Sequence, residues 1–260
     1  MDIRQTLGTL LRDGFILVFN QDKLDVVKTA RALIKAGIGN MEVTCRIRRP
    51  LEKIKRLKSE LPDFAVGAAS LIDFPEVLAL YNRSHGDDPL PSVEEVVASG
   101  ADYVVSAANF RPETFRRYRG TLPIIPGCAT VTEILAQFSL GANFCKVFPA
   151  KEVGGPAYVA AIDPAIHKTI SLVPTGGTTG ANIPDYFAAG VLVVGGSFSQ
   201  IDKQSMAQIV GGQDYDLLAS ELRKIKDLID AARARQWPGI DFKTASFDQI
   251  GRATGRNFNI

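Results

Sequence analysis

Short apolar segments alternate with longer amphipathic segments along most of the chain. Each apolar segment is almost continuously hydrophobic, which is typical of strands that are buried on both faces. The segments that this pattern predicts as strands are 15–19, 41–43, 64–68, 103–106, 123–126, 144–148, 171–174 and 191–195. The longer segments between them have the periodicity of helices with one buried face, and the clearest are 24–36, 50–61, 130–140 and 156–166.

This alternation predicts an α/β fold in which helices connect parallel strands. Eight strand–helix units predict a closed (β/α)8 barrel of the TIM type, and a length of 260 residues suits such a barrel. An open, doubly wound sheet is the alternative that periodicity alone does not exclude. Segment 3–11 is expected to form a short helix that caps the bottom of the barrel.

Two segments interrupt the alternation. Residues 74–90 are too long for a simple loop and end in turn-forming residues, so we expect an inserted helix and a polar connector outside the core. Beyond residue 230 the apolar periodicity fades. We therefore predict one barrel domain over 1–230 and a C-terminal extension over 231–260, which packs either over its own barrel or against a neighbouring subunit.

Composition and charge exclude several classes of protein. The formal net charge is +2, so no strong positive field indicates nucleic-acid binding. No apolar stretch approaches the ~18 residues that span a bilayer, and the N-terminus lacks the apolar core of a signal peptide. Three cysteines without a paired spacing and two histidines favour neither a disulfide framework nor a metal site. We expect a cytoplasmic protein without a metal or cofactor.

Lys146 is the most unusual residue of the predicted strands because it interrupts the apolar run Phe144–Phe148. A charged ammonium in such surroundings is costly unless it is paired. Desolvation favours the neutral amine, which is the form that attacks a ketone to give an imine. Alternatively, the lysine faces solvent at the edge of its strand.

Glu42 interrupts the second predicted strand in the same way. The carboxyl ends of parallel strands lie at one face of a barrel, so Glu42 is expected near Lys146. Imine chemistry requires a group that moves protons near the reacting carbon, and a carboxylate can do this. A purely structural ion pair with Arg46 or Arg48 is the other interpretation.

Two glycine-rich turns follow the last two predicted strands, over residues 174–182 and 195–197. Glycines allow backbone amides to approach an anion closely, and barrels often bind phosphate after these strands. The alternative is that the glycines only allow tight turns.

Seven motifs occur in an order and spacing that resemble a known family. They are GIGNMEVTCR, VGAAS, ADYVVS, LPIIPGCATVTE, FCKVFPA, PTGGTTGAN and GGSFS. From about residue 10 to about residue 230 the chain resembles the 2-keto-3-deoxy-6-phosphogluconate (KDPG) / 4-hydroxy-2-oxoglutarate (KHG) aldolases. The resemblance implies a homotrimeric, metal-free class I aldolase that makes pyruvate and an aldehyde, either glyceraldehyde 3-phosphate or glyoxylate, from a 2-keto acid.

The resemblance also implies roles for individual residues. Lys146 would form the Schiff base, Glu42 would be the general acid/base, and Arg46 would contact the substrate carboxylate. Further substrate-binding positions are Ser70, Phe148 and Thr175, and the phosphate-binding positions are Gly176, Gly177, Gly196 and Ser197.

Several positions depart from the family pattern, among them Ala69, Lys151 and Thr178, and they leave the aldehyde partner open. Two rival functions also remain. One is another phosphate-binding barrel enzyme of the epimerase or synthase type, which needs no imine lysine. The other is a barrel that binds an acidic metabolite without catalysis.

Overall fold

The protein, described over residues 1–260 by a computed structural model, is built around a curled parallel sheet. Its strands are β1 (Phe15–Phe19), β2 (Asn40–Thr44), β3 (Ala65–Leu71), β4 (Tyr103–Ser106), β5 (Ile124–Ile125), β6 (Gly127–Cys128), β7 (Lys146–Val147) and β8 (Val194–Ser197). Six of them form one sheet in the order β5-β4-β3-β2-β1-β8, and β6 pairs with β7 in a second, two-stranded sheet. The α/β class with parallel strands is therefore confirmed.

The predicted closed barrel of eight regular strands is wrong. At the fifth predicted strand, Pro126 separates β5 from β6. The seventh, 171–174, is not a regular strand, although four backbone hydrogen bonds join residues 171–175 to residues 145–147. Proline has no amide hydrogen for the ladder, and both interruptions contain or adjoin one, Pro126 or Pro174. Single backbone hydrogen bonds, such as Gly195 N to Pro174 O at 2.9 Å, connect this part of the wall to β8.

Thirteen α-helices surround the strands. They are α1 (Ile3–Asp13), α2 (Val26–Lys35), α3 (Pro50–Glu60), α4 (Pro75–Ser84), α5 (Val93–Ala98), α6 (Pro112–Tyr118), α7 (Val131–Leu140), α8 (Gly155–Ala161), α9 (Pro164–His167), α10 (Ile183–Ala188), α11 (Lys203–Gly212), α12 (Tyr215–Gln236) and α13 (Phe247–Thr254). A short 3-10 helix, Phe198–Gln200, follows β8. None of the helices combines the length and the apolar character that a bilayer-spanning segment needs.

Helix α1 closes the bottom of the sheet, as the sequence predicts. It begins at a capping box in which Asp2 accepts from the amide of Gln5 and the Gln5 side chain accepts from the amide of Asp2. Such a box satisfies two amides that have no partner within the helix. Leu7 and Leu10 are fully buried against side chains from the inner face of the strands, such as Phe144. The amino-terminal end of the strands is therefore filled by apolar side chains, and any open site lies at the carboxyl end.

The C-terminal segment packs against the same chain. Helix α13 lies against α1, and the ring of Phe258 lies 5.5 Å from that of Phe144. Asn143 donates a 2.7 Å hydrogen bond to the carbonyl of Phe258. This segment thus seals the bottom of its own sheet. The division of the chain at residue 230 stays a prediction.

The inserted segment after β3 forms α4, and no residue of this helix is buried. The segment contains a helix, as the sequence predicts, and Leu78 and Tyr81 of this helix pack against the edge of the hydrophobic core. The start of the segment is fixed because the Asp73 carboxylate accepts from the Arg111 amide. Its end is tied back to α4, because the Asn82 side chain donates to the Leu90 carbonyl and accepts from the Leu90 amide. The insertion therefore has a defined position above the carboxyl end of β3.

Candidate active site

A cavity of about 500 Å³ opens at the carboxyl ends of the strands. This is the end at which parallel α/β proteins place their sites, because the loops after the strands converge there. Its walls contain every residue that the sequence analysis selects: Glu42, Arg46, Ser70, Lys146, Phe148, Thr175, Gly176, Gly177, Gly196 and Ser197. Residues far apart in sequence are therefore brought to one place.

Lys146 and Glu42 meet inside this cavity. The Lys146 Nζ lies 3.3 Å from the Glu42 Oε1, and the two side chains are only 7% and 4% exposed. Alternation along β2 directs Glu42 inwards, while its neighbours Met41 and Val43 pack outwards into the hydrophobic core. The expectation that the two charged groups lie close together is confirmed. A buried pair of this kind is stable only when both members are present.

Polar side chains, Asn40 on the same strand and Tyr103 on β4, lie near Glu42. Tyr103 is fully buried and donates a 3.2 Å hydrogen bond to the Asn40 Oδ1. Burial, followed by the nearby negative charge of Glu42, raises the pKa of Tyr103 well above 10, so the phenol keeps its proton. A Cβ atom at Gly67 would lie 2.2 Å from the Tyr103 ring, so only glycine at that position of β3 leaves the tyrosine its space.

Arg46 lies at the rim of the cavity, just beyond the end of β2. Its Nε donates to the Ser70 hydroxyl at 3.1 Å. Ser70 has a φ of 62°, a left-handed conformation that costs a residue with a side chain about 1–3 kcal/mol. A register shift in the pairing of β3 with β4 occurs between Ala68 and Leu71, which surround this residue. The serine is thus held in an unfavourable conformation that brings its hydroxyl to the arginine.

Phe148 and Thr175 flank the lysine. The Lys146 Nζ lies 5.3 Å from the centre of the Phe148 ring, within the range of a cation–π contact. Thr175 is buried, and its hydroxyl donates to the carbonyl of Val173 at 3.3 Å. The amine therefore lies near an aromatic ring, and Thr175 lines the same cavity.

The first glycine turn presents free backbone amides to the cavity. Gly176 and Gly177 have φ values of 90° and 74°, and neither their amides nor that of Thr178 donates to a protein acceptor. Consecutive amides in such a conformation form a concave site that suits an anion. The Thr178 hydroxyl donates to the Gly195 carbonyl at 2.7 Å and thereby joins the two glycine turns. The turns that the sequence predicts as neighbours are neighbours in the structure.

Several lining residues were not expected from the sequence. The first strand contributes Val18 and Asn20, and the insertion contributes Phe74, Tyr81 and Leu90. One signal in the sequence could have indicated the insertion, because it starts directly after a predicted strand and must therefore leave the sheet at the catalytic end. Nowhere in the chain do three or more histidine, cysteine, aspartate or glutamate side chains form a group that could hold a metal ion.

Comparison with known proteins agrees with this geometry. The family profile described as "KDPG and KHG aldolase" matches residues 89–213, which include Lys146 and both glycine turns. The 2-dehydro-3-deoxy-phosphogluconate aldolase of Dickeya dadantii is 35% identical over 211 residues, which are 80% of this chain and 88% of that protein. The chain belongs to the KDPG and KHG aldolase family.

Membership makes this protein a carbon–carbon lyase of the aldolase type. The KHG/KDPG aldolase of Escherichia coli is 32% identical to it over 173 residues, 66% of this chain and 73% of that one. The fold of the aldolase is also found in a solved structure from Legionella pneumophila, described as KDPG aldolase with pyruvate captured at low pH as a covalent carbinolamine intermediate. The TM-score is 0.68 at 24% identity, over 85% of this chain and 97% of the other.

Proposed function

We propose that this aldolase cleaves KDPG or a related 4-hydroxy-2-oxo acid to pyruvate and an aldehyde, through a Schiff base on Lys146. The observation that carries the proposal is the 3.3 Å contact between the Lys146 amine and the Glu42 carboxylate, two buried side chains that line the cavity. The carboxylate is close enough to take the proton that the amine must lose before it attacks a ketone. Nucleophile and base are thus adjacent before substrate enters.

The first half of the reaction forms the imine. The Lys146 nitrogen adds to the C2 carbonyl carbon, and the resulting carbinolamine loses water to give a protonated imine. Arg46 and the Ser70 hydroxyl, 3.1 Å apart, form a pair of donors for the C1 carboxylate. Phe148 and Thr175 border the space that is left for the three pyruvyl carbons.

The second half breaks the carbon–carbon bond. Glu42 takes the proton of the C4 hydroxyl, the C3–C4 bond electrons move into the imine to form an enamine, and the aldehyde leaves. Protonation of C3 and hydrolysis of the imine then release pyruvate and restore the free amine. The cationic imine is the electron sink of this sequence, so we propose that the reaction needs neither a metal ion nor a cofactor.

The phosphate group of a phosphorylated substrate would lie at the glycine turns. The glycines at 176, 177 and 196 and Ser197 all line the cavity, and the amides of Gly176 and Gly177 have no protein acceptor. An anion there would accept from these backbone donors. Arg46 lines the same cavity, so one substrate could place a carboxylate at the arginine and a phosphate at the glycine turns.

Reductive trapping with pyruvate tests the proposal. Sodium borohydride added with pyruvate should attach a reduced three-carbon adduct to Lys146, located by peptide mapping and mass spectrometry. Lys226 is a matched internal control, because it is also buried and paired with a carboxylate, Asp230, but lies outside the cavity. An adduct on neither lysine, or on both equally, would contradict the assignment.

The same experiment separates the rival functions. An epimerase- or synthase-type barrel would retain the anion site but would form no adduct with pyruvate. A barrel that only binds a metabolite would show no cleavage of any 2-keto acid. The homotrimer and the cytoplasmic location stay predictions; light scattering should give three times the mass of the chain if the first is right.

A further inference from the structure

The inserted segment 74–90 supplies one wall of the active-site cavity. Phe74, Tyr81 and Leu90 all line it, next to Ile72 at the end of β3. Four side chains with aromatic or aliphatic surface therefore line the cavity where the chain leaves β3, whereas the glycine turns and Ser197 line another part of it. The insertion supplies three of these four side chains, and two of them are aromatic.

This wall is held in place from several directions. The Asp73 carboxylate accepts from the Arg111 amide at 2.8 Å and from the Thr114 hydroxyl at 2.7 Å, which fixes the start of the insertion. Asn82 closes the other end through two hydrogen bonds to the Leu90 backbone, at 3.0 and 2.9 Å. Leu90 is consequently only 6% exposed at the edge of the cavity. A side chain ordered in advance loses little entropy when a ligand packs against it.

The ring of Tyr81 is ordered by the helix itself. It stacks on the ring of His85 one turn later, with ring centres 4.1 Å apart and planes inclined by 6°. The His85 Nδ1 in turn lies 2.9 Å from the Tyr81 carbonyl. A flat aromatic surface is thereby presented to the cavity from a side chain that also packs against the edge of the hydrophobic core.

We propose that this wall binds an apolar substituent on the aldehyde half of the substrate, so that the enzyme accepts aldehydes with an aromatic or branched apolar group. This inference rests on the proposed aldolase function. The wall begins just after β3, so it lines the same cavity as the lysine–glutamate pair but comes from a different segment than the glycine turns. An apolar group packed there removes both its own surface and that of the rings from water, and such burial is favourable. A small polar aldehyde would leave the rings exposed.

Addition of pyruvate to two aldehydes measures this preference. The ratio of kcat/KM for benzaldehyde to kcat/KM for glyoxylate should fall at least about ten-fold in Phe74→Ser and in Tyr81→Ser, since loss of hydrophobic contact in a specificity pocket has effects of this size. The matched controls are Val77→Ser and Leu80→Ser. These residues are on the same helix and 50% and 57% exposed, but they do not line the cavity.

The outcomes are distinguishable. An unchanged ratio in Phe74→Ser and Tyr81→Ser, or an equal fall in the two controls, would overturn the proposed wall. Trapping with borohydride and pyruvate is performed on each variant first, and an adduct on Lys146 shows that the catalytic end is intact. Absence of the adduct in the unmodified protein would instead refute the aldolase mechanism, and this inference with it.

Discussion

Gly195 leaves open the space into which Thr175 places its hydroxyl, because a Cβ atom at position 195 would lie 2.2 Å from the Thr175 Oγ1. Thr175 borders the lysine and comes directly before the glycine turn, so a shift of its backbone would move both parts of the site. The absence of a side chain at position 195 therefore allows Thr175, on the neighbouring segment, to keep its position.

We predict that Gly195→Ala lowers kcat/KM by about a hundred-fold, which is the effect expected when reacting groups are misplaced by about 1 Å. Steady-state cleavage of KDPG measures it. Gly211→Ala is the control, because a Cβ atom there meets nothing within 4 Å, and it should behave like the unmodified enzyme. Normal activity of Gly195→Ala would show that Thr175 can move without consequence.

The unfolding free energy of the protein should depend on both members of the lysine–glutamate pair. Lys146→Met leaves Glu42 buried without a partner, which we expect to cost about 3–5 kcal/mol of unfolding free energy. The double variant Lys146→Met/Glu42→Gln should be more stable than Lys146→Met alone, because the unpaired charge is removed. Urea denaturation of Lys146→Met, Glu42→Gln and the double variant measures this. If the two single losses of stability add up to that of the double variant, the two residues are not coupled.

Lys226→Met is a comparison for the Lys146→Met variant, because Lys226 is also a buried lysine paired with a carboxylate. Its partner Asp230 is 22% exposed, so water can solvate the carboxylate after the lysine is removed, and the loss of stability should be smaller.

Glu42→Gln alone should reduce turnover by roughly two to four orders of magnitude while the pyruvate adduct on Lys146 still forms.

Ser70 should affect both stability and substrate binding. Its φ of 62° disfavours any residue with a side chain. The unfolding free energy of Ser70→Gly should therefore exceed that of Ser70→Ala by about 1 kcal/mol. Both variants lose the hydroxyl that accepts from Arg46, and both should need more pyruvate for half-maximal adduct formation. Equal stability of the two variants would show that the conformation is not strained.

Stability should fall as the pH rises through 6 because of Asp13. Burial raises the pKa of Asp13 from 3.8 to about 6, against the hydrogen bonds donated by Asn40 and Gly39. The folded state thus holds the proton more tightly than the unfolded state does. The contribution is fully present below about pH 4 and is lost above pH 6, and the shift corresponds to about 3 kcal/mol.

Asp13→Asn tests this because the amide does not titrate. The unfolding free energy of the unmodified protein minus that of the variant, measured in urea between pH 4 and pH 8, should decrease by about 3 kcal/mol as the pH rises. Taking this difference cancels the titration of carboxylates that both proteins share. A constant difference, or one that increases with pH, would contradict the assignment to Asp13.

The sequence by itself determined the alternation of strands and helices, the cap formed by α1, and the presence of two charged residues, Lys146 and Glu42, within apolar segments. Strands buried on both faces must be apolar, so a charged residue within one is conspicuous without any structure. The parallel arrangement also placed the late glycine turns at the same end of the sheet as the charged pair. These conclusions depend only on what each segment needs locally.

Tertiary structure alone decided which distant segments meet. Segment 171–174 pairs with residues 145–147, but towards β8 Pro174 has no amide hydrogen, and its carbonyl accepts from Gly195. The wall formed by Phe74 and Tyr81, and the packing of Phe258 against Phe144, join parts of the chain that share no local pattern. Periodicity reports which face of an element is buried; the partner of that face is fixed only when all elements pack together.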